Sequence, residues 1–169
     1  AIFGLSGCVT PGFNSSKTAF PEEFFFSQTQ IPSGETLTFI IDSSGTIERT
    51  GTVLDGSSHA AKSEGRQLKL AEWHGFLRAI SPLRVDRWRK RYAVADSAQE
   101  EARMGHFWSF YGSVGLVEFE SSGENLGPDP KDPTTAVSWP RVGEKAPEPA
   151  HQIVLRELEA LWQQARVAW

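Results

Sequence analysis

The stretch 36-TLTFIIDSSGTI-47 contains a strand signal followed by a turn signal. Every second residue of its first part is large and apolar, at Leu37, Phe39 and Ile41. A period of two places these side chains on one face of a β-strand. The segment DSSG at 42–45 has the composition of a tight turn, because Gly45 tolerates a positive φ. We therefore predict a β-hairpin over residues 36–53.

The same patterns extend outward from this hairpin. FFFSQ at 24–28, GHFWSFYG at 105–112 and VGLVEFES at 114–121 predict strands, and in the last of these Glu118 and Glu120 share one solvated face. Helical spacing of apolar residues, among them Leu70 and Trp73, predicts a helix over 69–81, and a second helix begins near Ala150. Residues 55–66 lack apolar periodicity and predict a surface loop. Residues 85–94 predict a strand or an extended connection.

This order of elements predicts an α+β fold: an antiparallel sheet of about four to five strands with two helices packed on one face. Six of the ten prolines fall in 123–149, which predicts a long irregular excursion with little regular structure. A chain of 169 residues has room for one core, so we expect a single domain.

Charge and composition exclude several classes of function. The formal net charge is −4, which argues against general nucleic-acid binding because that requires a basic surface. No apolar run approaches the roughly 20 residues that a membrane-spanning helix needs. Cys8 is the single cysteine, so the sequence holds neither an internal disulfide nor a cysteine-based zinc site.

The residues before this cysteine are informative about location. Leu5-Ser6-Gly7-Cys8 resembles the lipobox of bacterial lipoproteins, and apolar or small residues precede it. The resemblance implies cleavage before Cys8, acylation of its thiol and attachment to a membrane through the lipid. Val9, which is not Asp, implies the outer membrane, facing the periplasm, if the host is Gram-negative. The alternative is a buried structural cysteine in a first strand.

On this interpretation the chain has three parts. Residues 1–7 are the remnant of a signal peptide, because the sequence lacks a starting Met and a charged segment before its apolar residues. Residues 8–20 form a flexible tether rich in Ser, Thr, Pro and Gly, and 21–169 form the domain. The chain places FIIDSSGTIERTG at 39–51 before the first predicted helix and WSFYGSVGLVEFESSG at 108–123 between the two predicted helices, an arrangement that resembles small uncharacterised bacterial envelope lipoproteins. That resemblance implies no particular activity.

No catalytic or cofactor motif is visible. The four histidines, His59, His74, His106 and His151, lie in no recognisable catalytic or metal-binding pattern. The glycines match no phosphate-binding loop. We therefore predict no metal site, no cofactor and no enzymatic activity. The alternatives are an envelope hydrolase whose site is dispersed along the chain, and an inhibitor of a secreted enzyme acting through a loop within 123–149.

One cluster of cations is a candidate binding site for an anionic ligand, such as a phosphate, an anionic lipid headgroup or a glycan. It consists of Arg84, Arg87, Trp88, Arg89, Lys90 and Arg91. The alternative, which the acidic remainder of the chain favours, is a sheet edge whose cations prevent edge pairing and bind neighbours such as Glu118 and Glu120. The sequence as a whole predicts a membrane-anchored envelope lipoprotein that acts as a binding or accessory module, with another envelope protein or an anionic lipid or glycan as its partner.

Overall fold

The structure is a computed structural model that describes residues 18–31, 33–55, 58–93, 105–138 and 147–167. Cys8, the rest of the predicted lipobox and most of the predicted tether lie outside the described residues, as do residues 139–146 of the proline-rich segment. The described part contains two α-helices, α1 (Leu70–Ile80) and α2 (Ala150–Gln164). Its strands are β1 (Glu23–Ile31), β2 (Thr36–Asp42), β3 (Thr46–Asp55), β4 (Ser58–Gln67), β5 (Arg91–Tyr92), β6 (Gly105–Val114), β7 (Val117–Glu124), β8 (Leu126–Pro128), β9 (Ala136–Ser138) and β10 (Arg166–Val167).

Eight of these strands form one sheet in the order β10-β4-β3-β2-β1-β6-β7-β5. All neighbours are antiparallel except β5, which pairs in parallel with β7. The predicted α+β class is confirmed, and the hairpin predicted over 36–53 is the β2–β3 pair. The sheet has more strands than the four to five expected, because the sequence signals of β4, β5 and β10 are weak or short.

Both helices pack on one face of the sheet, here called the inner face. Alternation along β1 sends Phe24 and Phe26 to this face, and Phe110 of β6 lies opposite Phe26. The ring of Phe24 has four aromatic neighbours at 5.2–5.8 Å, all in edge-to-face geometry: Trp73, Phe76, Phe110 and Phe119. Such pairs add about 0.5–1.5 kcal/mol each to the burial of the rings. The core is therefore aromatic and centred on Phe24.

The helix predicted over 69–81 is present as α1, with one difference in the buried stripe. Trp73, Leu77 and Ile80 are buried as the spacing predicts, but Leu70 is 46% exposed and Phe76 is buried in addition. Leu70 is the first residue of α1, and the carboxylate of Glu72 accepts a hydrogen bond from the backbone N–H of Lys69 there. This capping contact places the first residue of α1 at the edge of the core, and the Leu70 side chain is therefore exposed.

Residues 55–66, predicted to be a surface loop, are mostly strand β4, so that prediction is wrong. β4 pairs with β3 over ten residues, from Thr46 opposite Gln67 to Asp55 opposite Ser58. Its residues 61–65 are exposed, so the sequence needs no alternation of apolar and polar side chains. Backbone hydrogen bonds to β3 stabilise this strand, and they leave no apolar periodicity in the sequence from which the strand could be predicted.

The described part of the proline-rich segment contains more regular structure than expected. β8 and β9 pair as a second, two-stranded antiparallel sheet. Between them, the Asp132 carboxylate accepts hydrogen bonds from the backbone N–H and the hydroxyl of Thr134, which forms a side-chain-stabilised turn. Gly127 and Pro128 are buried, so this part of the segment packs against the domain.

Candidate binding surface

The second face of the sheet, here called the outer face, carries neither of the two described helices. Its central row consists of hydroxyl side chains in register on six neighbouring strands: Ser63, Thr50, Thr38, Ser27, Ser109 and Ser122. In two of the neighbouring pairs the hydroxyls are hydrogen-bonded, with Ser27 Oγ 3.1 Å from Thr38 Oγ1 and Thr50 Oγ1 3.1 Å from Ser63 Oγ. At about 4.8 Å between strands the row spans roughly 24 Å.

An apolar row runs beside the hydroxyl row. Ile40 of β2 lies opposite Phe25 of β1, and Phe25 lies opposite Tyr111 of β6. The Phe25 and Tyr111 rings are stacked, with centroids 4.6 Å apart and planes 19° from parallel. Glu48 lies opposite Ile40 at one end of the row, and Glu120 lies opposite Tyr111 at the other. The outer face thus presents an apolar strip between two carboxylates.

Carboxylates dominate the charge of the outer face. Glu118 and Glu120 share this face, as the alternation in β7 predicts, and both are exposed. Glu124 follows on the same face and lies 3.5 Å from the guanidinium of Arg91. Exposed carboxylates beside an apolar strip favour a partner that carries basic and apolar side chains, because opposite charges steer the encounter and apolar burial stabilises the complex.

The predicted anion-binding cluster lies at the β5 edge of the sheet, where the structure separates its members into different environments. The guanidinium of Arg84 donates two hydrogen bonds to the carboxylate of Asp86, at 2.8 and 3.1 Å. The hydrogen bond from Arg84 lowers the pKa of Asp86 against the opposing effect of burial. Arg91 is paired with Glu124, as already described. Arg87, Arg89 and Lys90 are exposed.

Trp88 lies in the core, whereas an aromatic platform within the cluster would have to be exposed. Only 8% of the residue is exposed, and its indole N–H donates to the carbonyl oxygen of Leu83 at 2.9 Å. The chain before β5 forms a short 3-10 turn, Val85–Arg87, rather than the strand or extended connection predicted there. Because the turn directs Trp88 inward, the surface of the cluster consists of cations without an interleaved aromatic ring.

A pair of buried histidines joins the sheet to the start of α2. His106 of β6 and His151 of α2 face each other with their Nε2 atoms 3.1 Å apart. The ring centroids are 5.4 Å apart, which is the Nε2–Nε2 distance plus one ring radius on each side, so the rings meet head to head. One Nε2 must carry a proton and donate the hydrogen bond, and the other Nε2 must be unprotonated and accept it. This geometry requires both rings to be neutral or to share one charge.

Burial keeps both histidines neutral near pH 7. It lowers the pKa of His106 to about 4. Burial also lowers the pKa of His151, and the neighbouring His106 lowers it further. A stack with Trp108, at 4.4 Å and 8° between planes, covers one face of the His151 ring, and the buried Gln152 amide donates to the Gln28 side chain alongside. The first turn of α2 is therefore fixed to the sheet by two hydrogen-bonded polar pairs.

Sequence reasoning misses this pair, because its members are 45 residues apart and lie on elements of different type. The structure places His74 elsewhere, with Nε2 2.8 Å from the carbonyl oxygen of Thr18, and the His59 side chain is outside the described residues. Among the described residues, no group of three or more His, Cys, Asp or Glu side chains is placed to hold a metal ion.

A shallow groove of about 370 Å³ lies between the two helices. Its lining includes the carboxylates Glu72 and Glu157 but no histidine, serine or threonine. Glu72 is already engaged in capping α1. The groove therefore does not bring together the nucleophile, base and orienting group of a hydrolase.

No known family model matches the chain, and no curated protein is significantly similar to it. In the described ranges, neither helix combines the length and the apolar character required to cross a bilayer.

Proposed function

We propose that the protein is a lipid-anchored component of the bacterial cell envelope whose α+β domain acts as a binding or accessory module. The observation that carries the proposal is the sequence Leu5-Ser6-Gly7-Cys8 at the N-terminal side of a tether-like segment. A thiol is nucleophilic enough to accept a diacylglycerol group, and each buried methylene of an acyl chain contributes about 0.8 kcal/mol to membrane binding.

The outer face supports the binding part of the proposal. Its apolar strip at Ile40, Phe25 and Tyr111 lies between Glu48 and Glu120, a chemistry that suits a basic and apolar segment of another envelope protein. The apolar strip is small and polar groups surround it, which is typical of surfaces that form reversible contacts.

Fractionation of cells that produce the chain with a complete signal peptide tests the anchor. The wild-type protein is expected in the membrane fraction with a radioactive fatty-acid label, and Cys8→Ser is expected to carry no label in any fraction, because serine lacks the thiol that is acylated. Equal labelling of the two proteins, or no label on the wild type, would contradict the proposal.

Photo-crosslinking in cells tests the binding surface. A photoreactive amino acid at position 40 on the outer face should give a discrete adduct that Glu120→Lys abolishes, while the same amino acid at position 78 on α1 should give none. Glu157→Lys, which changes the net charge equally on the helix layer, is the matched control and should leave the adduct unchanged. An adduct at position 40 that is insensitive to Glu120→Lys would contradict the assignment of the surface.

A further inference from the structure

The tip of the β6–β7 hairpin is the most exposed apolar feature in the described part of the chain. Leu116 has a relative exposure of 103%, against 36–46% for the other exposed large apolar residues there. Val114 pairs with Val117, so Gly115 and Leu116 form a two-residue loop. Gly115 has a φ of +61°, which the tight turn requires. The turn itself does not require a leucine at position 116, because the residues that turns prefer are Gly, Asn, Asp and Ser.

This tip lies at the end of the sheet where the chain enters the domain. β1 begins beside the hairpin, since Phe24 pairs with Gly112. Immediately before β1, the carbonyl oxygen of Ala19 accepts a hydrogen bond from the Trp73 indole. Residues 18–20 are thus held on the domain at the same end as Leu116. The opposite end, where the β1–β2 turn lies, is roughly 27 Å away, because the nine residues of β1 are joined by eight steps of about 3.4 Å each.

The anchor lies nearer to the Leu116 end of the domain than to the opposite end. Thr18 follows Cys8 by ten positions, and this stretch spans at most about 35 Å when fully extended. A lipid on Cys8 would therefore hold the Leu116 end close to the bilayer, whereas the opposite end reaches it only if the domain inverts.

We infer that the Leu116 tip docks into the interfacial region of the lipid bilayer and orients the domain with its Leu116 end toward the membrane. This inference rests on the proposed anchoring at Cys8. Leu116 enters the apolar part of the interface while the hairpin backbone stays paired, so no backbone hydrogen bond is lost. The exposed cations Arg87, Arg89 and Lys90 precede β5 along the β7 edge, while the carboxylates Glu118 and Glu120 follow the tip on the outer face. Because both signs are present, apolar insertion rather than net charge drives docking.

The test uses the full chain held on zwitterionic phosphatidylcholine vesicles through a hexahistidine segment before Ala1 and a nickel-chelating lipid. This attachment does not depend on acylation. In a Cys8→Ala background, Ser113→Cys provides a unique thiol beside the tip for an environment-sensitive dye, and Glu35→Cys in the β1–β2 turn provides the matched thiol at the opposite end. A lipid carrying a quencher in the bilayer reports which dye approaches it.

We expect the dye at position 113 to shift to the blue and to be quenched, and the dye at position 35 to remain as in solution. Adding Leu116→Ser should reduce the docked fraction of the hairpin about tenfold or more, since burial of the leucine side chain provides the docking free energy. Equal quenching at positions 113 and 35, or no effect of Leu116→Ser, would overturn the inference. Failure of acylation at Cys8 would instead appear in the cell fractionation and would leave this result intact, so the two failures are distinguishable.

Discussion

Lowering the pH from about 7.5 to about 5.0 should destabilise the protein through the His106–His151 pair. In the unfolded chain both histidines have a pKa near 6.5 and are mostly protonated at pH 5. In the folded protein, burial lowers the pKa of His106 to about 4, so that this ring stays largely neutral. Since the unfolded state then binds more protons, the free energy of unfolding falls as the pH is lowered from about 6.5 toward 4.

The magnitude follows from the pKa of His106. At pH 5 the unfolded state binds protons more strongly than the folded state. Through this residue alone, that difference lowers the free energy of unfolding by about 2 kcal/mol. His151 contributes in the same direction, because burial and the neighbouring His106 lower its pKa as well. A loss of at least about 2 kcal/mol is large against the 5–15 kcal/mol that stabilise a typical domain.

Urea unfolding at the two pH values, followed by tryptophan fluorescence, measures this loss. Wild type and the control His74→Gln, which leaves the pair in place, should both lose at least about 2 kcal/mol. The double variant His106→Gln/His151→Gln should lose less than half as much, whatever its stability at pH 7.5. NMR titration of the ring protons gives a second measurement, in which neither His106 nor His151 changes charge between pH 7.5 and 5. Equal pH dependence in all three proteins, or titration of both rings near pH 6.5, would refute the reasoning.

Three further predictions concern packing and charge. Gly127→Ala should destabilise the protein by about 2 kcal/mol or more in urea unfolding, because the new Cβ would overlap the His151 ring and lie 2.9 Å from Pro149. The control Gly65→Ala should change the free energy of unfolding by less than about 1 kcal/mol, because the nearest neighbour of its Cβ is Thr46 Cγ2 at 3.6 Å. Phe24→Ala should cost about 3–5 kcal/mol by emptying the centre of the core, and Phe107→Ala, at a residue that is 40% exposed, should cost less than about 1 kcal/mol; similar costs would contradict the assigned core. If the cations at the β5 edge bind anionic lipid, changing Arg87, Arg89 and Lys90 to Ser should abolish retention of the Cys8→Ala chain on anionic vesicles at low salt. The control, in which Lys62, Arg78 and Arg156 are changed to Ser, should still be retained. Equal loss of retention in both triple variants would assign vesicle binding to net charge alone.

The sequence predicts the elements that one apolar face defines. β2 and β7 alternate with a period of two, and α2 carries its buried residues at helical spacing, so their type and position follow from periodicity. β4 could not be predicted in this way because the side chains of residues 61–65 are exposed. Trp88 shows the converse limit: its charged neighbours suggested a surface residue, and only the local 3-10 turn directs it into the core.

The candidate surfaces depend on strand register, which local pattern alone does not give. The hydroxyl row and the apolar strip arise because residues such as Thr38, Ser27 and Ser109 meet across strands that are far apart in sequence. The His106–His151 contact depends on the docking of α2 against β6, which no short-range signal encodes. Leu116 was visible as part of VGLVEFES, but its exposure follows only from the two-residue turn between β6 and β7.

The intact mass of the mature protein, purified from membranes of a bacterium that expresses it with a complete signal peptide, tests the lipid anchor most directly. A chain that begins at Cys8 and carries the added mass of a diacylglycerol group is the predicted result, with no such species from Cys8→Ala. A chain with an unmodified Cys8 thiol would contradict the account and would make this cysteine an ordinary residue of the protein.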